Sequence, residues 1–227
     1  MNILVIAAHP DDEVLGCGGT IARHIKNGDT VHVCILGEGA TSRFDRREDA
    51  PPQLVDFLAA ASHKAAKLLS ITSVQGLKLP DQRFDTLPFL NIVKLLTNVI
   101  EEKQPEMVYT QHGGDLNLDH VVTFRATLTA CRPLQGCSVQ TLYAYEVPSS
   151  TEYAFGKFSP VFQPDTFVDI STFLDVKIAA MQCYAPEMRP FPHPRSEHAL
   201  RSIATRWGSQ VGLTAAEAFQ TIFRICS

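Results

Sequence analysis

The sequence predicts an α/β fold: one domain spanning residues 1–227, with a mostly parallel sheet and helices on both faces. Two observations carry this. Short runs of Ile, Leu and Val alternate with longer segments whose apolar residues recur every three or four positions, and such alternation builds parallel sheets covered on both sides. Two of the apolar runs also stop at clusters of His, Asp and Glu, and open parallel sheets bind ligands beyond the carboxyl ends of their strands.

Ile3-Leu4-Val5-Ile6-Ala7 reads as the first strand and runs into Ala8-His9-Pro10-Asp11-Asp12-Glu13-Val14-Leu15. Gly16-Cys17-Gly18-Gly19 then reads as a loop that leads into a helix over 20–27, with Gly28 as its C-terminal stop. A strand over 31–36 is followed by a polar loop, 37–50. Leu54, Phe57, Leu58, Ala61, Ala65, Leu68 and Leu69 then mark a helix by their spacing. The pattern repeats with a strand over 73–79, a helix near 87–103 carrying Leu90, Val93, Leu96 and Ile100, a strand over 106–110 and a helix near 119–131. Beyond 131 the expectation is a strand over 139–146, a loop rich in Ser, Pro and Phe over 148–165, a strand near 166–170 and helices near 171–184, 196–207 and 214–224. No linker or repeat interrupts the chain, so this tail is expected to complete the domain and cover the site.

Twenty basic against twenty-four acidic residues, with no basic cluster longer than Arg46-Arg47, give no sign of a nucleic-acid partner. Six scattered cysteines without a C-x-x-C pair argue against a thiolate zinc site and a disulfide framework, and for a reducing compartment. The first strand has no basic segment before it, and no apolar run approaches the roughly 20 residues of a membrane span. The expectation is a cytoplasmic protein without stable membrane insertion, able to act on lipid-linked or carrier-linked substrates.

The chemistry lies in the two clusters, the second being His112-Gly113-Gly114-Asp115-Leu116-Asn117-Leu118-Asp119-His120. His9, Asp12 and His120 make a set of two imidazoles and one carboxylate, which leaves a zinc position open for water or substrate. Such a metal lowers the pKa of its water toward about 7 and polarises a carbonyl. Asp11, adjacent to the ligand Asp12, is placed to act as general base. Asp119 is placed to accept a hydrogen bond from an imidazole and orient it, and Glu13 to hold the loop or the first helical turn. Standing alone, His-Pro-Asp-Asp would read as a capped turn; the second cluster is what favours a metal. A phosphate-cradling reading of residues 16–19 is weakened by the lack of G-x-G-x-x-G and by the acidic residues just before.

The segment from Ala8 to Thr20, joined to Asp115-Leu116-Asn117-Leu118-Asp119-His120, resembles the LmbE/PIG-L family of zinc-dependent N-deacetylases. Looser likenesses to its bacterial sugar-modifying members lie at Leu79-Pro80-Asp81-Gln82-Arg83-Phe84-Asp85 and Phe191-Pro192-His193-Pro194-Arg195-Ser196. The resemblance implies a Rossmann-like fold, one zinc ion per subunit (or another divalent metal) on His9, Asp12 and His120, and Asp11 as base. It also implies removal of the N-acetyl group from an N-acetylglucosamine-type conjugate, and it leaves a homo-oligomer open.

One departure stands out: where several members carry a histidine three residues before the last ligand, this chain has Asn117. Asn117 can donate to an oxyanion but cannot protonate a leaving amine. Either His112 supplies the acid, or Asp11 carries the proton both ways. Asp81 and Arg83 are candidates for sugar hydroxyls, against a solvated ion pair. Arg195 is a candidate for a carboxylate or phosphate on the substrate, against a helix cap. His24, His32, His63 and His193 read as structural, and Trp207 with the Phe residues of 155–162 as core or as a sugar platform. The rivals are a deformylase or amidase on another N-acyl amine, a non-catalytic metal- or carbohydrate-binding module, and a nucleotide-dependent oxidoreductase.

Overall fold

A computed structural model describes residues 1–226. Its strands are β1 (Asn2–Ala7), β2 (Thr30–Gly37), β3 (Ser73–Leu79), β4 (Met107–Gln111), β5 (Thr141–Tyr145), β6 (Thr166–Asp169) and β7 (Ala216–Arg224). The helices are α1 (Asp12–Lys26), α2 (Pro52–Leu69), α3 (Phe89–Lys103), α4 (Leu118–Ala130), α5 (Leu174–Gln182) and α6 (Glu197–Gln210). All seven strands form one sheet in the order β3-β2-β1-β4-β5-β7-β6. β1 to β5 run parallel, and β7 is antiparallel to both of its neighbours.

β1 shows why two helical layers form. Ile3, Val5 and Ala7 join a core with Val14 and Ile21 of α1, Leu58 and Ala65 of α2 and Ile178 of α5. Leu4, Ile6 and Ala8 face the other way, toward Ile92, Leu96 and Ile100 of α3 and Ala126 of α4. A strand buried on both faces reads as a continuous apolar run, as here. In α2 the buried stripe is Leu58, Ala61, Ala65 and Leu69, while Phe57 and Leu68 turn to solvent; Leu90 of α3 is likewise exposed. β1 pairs with β2 on one side and β4 on the other, so the loops after β1 and β4 part at a topological switch point.

Two expectations need correcting. The first helix starts at Asp12, not near Thr20, and takes in the whole glycine run. Its glycines serve close packing rather than a loop: a Cβ on Gly16 would collide with the Tyr145 ring, and one on Gly19 would lie 2.8 Å from Ile170 Cβ. Side chains also reach this helix's backbone. Glu217 accepts from the Gly19 N–H at 3.0 Å and the Thr20 N–H at 2.7 Å, while Lys177 Nζ donates to the Leu15 carbonyl at 2.7 Å and pairs with Glu217 at 2.5 Å. Gly28, at φ +84°, ends the helix as expected.

The second correction is that residues 216–224 form a strand, not a helix. Ala and Glu at its start favour helix, but Phe219, Thr221, Ile222 and Phe223 suit a pleated surface, and pairing with β5 and β6 overrides the local preference. Phe219 closes an aromatic cluster with Tyr109 and Tyr143.

Candidate active site

The loop after β1 delivers His9, Asp11 and the first residue of α1, Asp12. The loop after β4 delivers Asp115 and Asn117, and α4 delivers Asp119 and His120. Asn117 accepts from the Asp119 N–H at 2.9 Å as the N-cap of α4, which fixes the turn that aims His120. Capping engages Oδ1 and leaves the amide nitrogen of Asn117, in the cleft lining, free to donate.

His9, Asp12 and His120 offer ligand atoms that all lie within 4.8 Å of one another, and each of the three is buried. His9 Nδ1 is 3.5 Å and His120 Nε2 3.4 Å from Asp12 Oδ2. The far nitrogen of each ring is held by a carboxylate, His9 Nε2 by Asp119 at 3.0 Å and His120 Nδ1 by Asp115 at 3.2 Å. Asp12 Oδ2 accepts from the His9 N–H and from Gln111 Nε2, whereas Asp12 Oδ1 is buried without a partner. A buried carboxylate with one oxygen unpartnered, whose other oxygen lies 3.4 and 3.5 Å from two carboxylate-backed imidazoles, fits a divalent metal site.

His9, Asp81 and Asp119 form a second group within the same distance. It uses the Nε2 edge of His9, where Asp119 already accepts at 3.0 Å and Asp81 lies at 3.3 Å. Asp119 is further engaged by the Gln82 and Phe84 N–H groups, and Asp81 by the Ser42 N–H. These carboxylates therefore orient His9 and tie the β3–α3 loop to it.

The electrostatics follow from burial and pairing. Burial opposes protonation of His9, but hydrogen bonds to Asp119 and Asp12 outweigh it and raise the ring to about 10. His120 is raised to about 9 against burial, chiefly by the Asp12 charge and its bond to Asp115. Burial disfavours the Asp12 carboxylate, yet the two imidazoles hold it well below the ordinary range. Burial pushes Asp11 up to about 8 against the pull of Arg195, and Glu13 up to about 7 against its Tyr184 hydrogen bond.

Asp11 stands at φ +110°, a left-handed backbone that a non-glycine residue rarely adopts. Its carboxylate lines a cleft together with His9, Arg43, Asp81, Asn117, Glu187 and Arg195. Arg195 does reach the site, but its Nη1 is 2.8 Å from Asp11 Oδ2. Two expected site residues lie apart. Arg83 is exposed and outside the cleft lining. His112 is buried beneath the 148–165 loop, donating from Nε2 to the Pro160 carbonyl at 2.8 Å and packing edge-on to Phe162, and burial lowers its pKa. A ring bonded to Pro160 and outside the cleft lining is poorly placed as the acid. Asp115 was missed although it stands in the motif; Gln111, Arg43 and Glu187 carry no motif signal at all. Phe162 and Trp207 pack on each other, while Phe155 and Phe158 are exposed.

The family described as GlcNAc-PI de-N-acetylase, PIG-L, matches residues 4–131, which include every candidate ligand. This chain belongs to the PIG-L family. It is 28% identical to YaiS of Escherichia coli strain K12, named an uncharacterized deacetylase, over 80% of this chain and 89% of that one. It is 26% identical to the diacetylchitobiose deacetylase of Thermococcus kodakarensis over 97% and 83% of the two chains. A 4-oxalmesaconate hydratase of Pseudomonas putida is 28% identical over 98% and 89%. Among solved structures, the 4-carboxy-2-hydroxymuconate hydratase GalB of P. putida superposes with a TM-score of 0.79 at 25% identity, covering 100% of this chain and 98% of that one. The PIG-L assignment and its deacetylase relatives make the chain an enzyme of the deacetylase class. Among the described residues, no helix is long and apolar enough to cross a membrane.

Proposed function

We propose that the protein is a zinc-dependent N-deacetylase that hydrolyses the acetamide of an N-acetylated amino sugar conjugate, with the whole chain as one catalytic domain. The observation that carries this reading is the buried cluster of His9, Asp12 and His120, in which one Asp12 oxygen has no partner, with Asp11 beside it in the cleft lining. Zinc held by His9, Asp12 and His120 would acidify a water molecule and polarise the acyl carbonyl.

Asp11 takes the proton of the attacking water and returns it to the departing amine, so one carboxylate serves as base and then as acid. Burial, which raises its pKa above that of a free carboxylate, favours its holding the proton between the two transfers. The free amide nitrogen of Asn117 donates toward the developing oxyanion. Asp119 and Asp115 keep the imidazoles oriented. Asp81, whose Oδ1 has only the shared His9 contact, accepts from a sugar hydroxyl at the cleft wall.

A second reading has its own support. Two guanidinium groups, Arg43 and Arg195, line the cleft, and the likeness to the 4-oxalmesaconate hydratase spans nearly the whole chain. Arginines recognise carboxylates well, so hydration of an unsaturated polycarboxylate is the rival. Proton NMR of zinc-loaded protein with acetamido sugars, formamido sugars and unsaturated di- and tricarboxylates separates the cases. Acetate from a sugar supports deacetylation; formate makes it a deformylase; loss of vinyl protons from an acid, with the sugars intact, replaces the first reading by the second.

A further inference from the structure

Arg195 sits on Asp11 rather than free in the cleft. We propose that Arg195 is a positioning residue that holds the Asp11 carboxylate in its reactive orientation, and that the Arg43–Glu187 pair keeps Arg195 from being drawn away. The inference rests on Asp11 as the base, but not on which substrate the enzyme takes.

Asp11 is anchored through its main chain, whose N–H donates to Glu13 Oε2 at 3.1 Å and whose carbonyl accepts from the Val14 and Leu15 N–H groups, but its carboxylate has little else to hold it. Its backbone is in a sparsely populated conformation, it makes no side-chain cap to α1, and Oδ1 carries no hydrogen bond among the described residues. Oδ2 accepts from Arg195 Nη1 at 2.8 Å, which leaves Oδ1 for a proton in the cleft. Arg195 is itself tied on several sides. Its Nε donates to Ser149 Oγ at 2.7 Å, its backbone N–H donates to His193 Nδ1 at 3.1 Å, and the next residue, Ser196, caps α6 by accepting from the Ala199 N–H. A guanidinium anchored this way loses little freedom when it binds a carboxylate.

Glu187 competes for the same nitrogen. Its Oε2 lies 3.4 Å from Arg195 Nη1, beyond the Asp11 distance. Arg43 occupies both Glu187 oxygens through Nη2, at 2.7 and 2.8 Å. Charges therefore alternate along Arg43, Glu187, Arg195 and Asp11. Without Arg43, Glu187 has one partner left, and that partner is the guanidinium holding the base.

The test has a kinetic arm and an arm that needs neither metal nor substrate. On whichever substrate class turns over, Arg195→Ala should lower kcat at least about tenfold with little change in KM, as for a group acting in the transition state. Arg195→Lys should recover part of that loss. In an Asp11→Asn background Arg195→Ala should add almost nothing, because the two act as one unit. Arg43→Ala should also lower kcat, and Glu187→Gln added to it should restore the rate.

In metal-free protein, nitrogen-15 NMR should show resolved, slowly exchanging Nη–H signals for Arg195 that collapse in Asp11→Asn. Raised KM with intact kcat in Arg195→Ala, additive losses in the double variant, or Arg195 signals indifferent to Asp11→Asn would each overturn the proposal and return Arg195 to direct substrate binding. If no substrate turns over, the NMR arm decides alone: collapse supports the pairing, persistence rejects it.

Discussion

At the residue scale, each candidate histidine ligand depends on a carboxylate behind it. His9 leans on Asp119 and His120 on Asp115, so the two second carboxylates should matter nearly as much as the ligands. Asp115→Asn and Asp119→Asn should each weaken zinc binding by about 10- to 100-fold, read by competition with a chromogenic chelator. Unchanged affinity in both would separate them from the metal site. Asp11→Asn is expected to keep zinc while losing about 10²- to 10⁴-fold in kcat.

The metal-free imidazoles are raised from 6.5 to about 10 and about 9, so near neutral pH they hold protons that a metal must displace. Zinc uptake should release about two protons, measured by calorimetry in buffers of different ionisation enthalpy, and should tighten as pH rises. The same shifts set stability. A folded pKa above the unfolded one stabilises fully below the unfolded value, so this contribution is present below about pH 6.5 and is lost as pH rises through 9 to 10. The urea midpoint of metal-free protein should accordingly fall across that interval, and a flat profile would speak against protonated imidazoles in the cluster.

Among the residues themselves, the grouping of His9, Asp12 and His120 was legible because two clusters of donor residues each follow an apolar run, so that two strand ends deliver them to one place. Asp119 was legible as the partner of an imidazole, though the ring it holds is His9 rather than its chain neighbour. Arg43 and Glu187 were not legible. Their meaning comes from contacts between loops 144 residues apart, and nothing local marks them.

At the scale of elements, the glycine run of α1 shows where propensity misleads. Four residues containing three glycines read as a loop, since each glycine weakens a helix by about 1 kcal/mol relative to alanine. The helix passes through them because Tyr145 and Ile170 press against it and because Glu217 and Lys177 satisfy its backbone in mid-course. Replacing Gly19 with Ala should therefore destabilise the protein by about 1–3 kcal/mol in urea unfolding, although helix propensity alone predicts the opposite sign. A stabilised variant would mean that Ile170 yields and that packing does not explain the glycine. The β7 segment failed for the same reason, its helix-prone start being overruled by partners on both sides. β1, β2 and β4 were readable as short apolar runs, and α2 and α3 because each buries a stripe at three- and four-residue spacing.

Across the whole molecule, the strand order places the loops after β1 and β4 next to each other, and that adjacency assembles a site from residues 9–12 and 115–120. Alternation of strand and helix foretold this much. Glu187 and Arg195, beyond the span of the family match, close one side of the cleft, whereas the rest of its lining lies within that span.

The most direct measurement is turnover of an acetamido sugar in water enriched in oxygen-18 by zinc-loaded protein, followed by mass spectrometry of the products. The account predicts one labelled oxygen in acetate for each amine released, and neither product from Asp11→Asn. No acetate from the sugar, with label appearing instead in the hydroxyl of a hydrated product when an unsaturated polycarboxylate replaces it, would contradict the account.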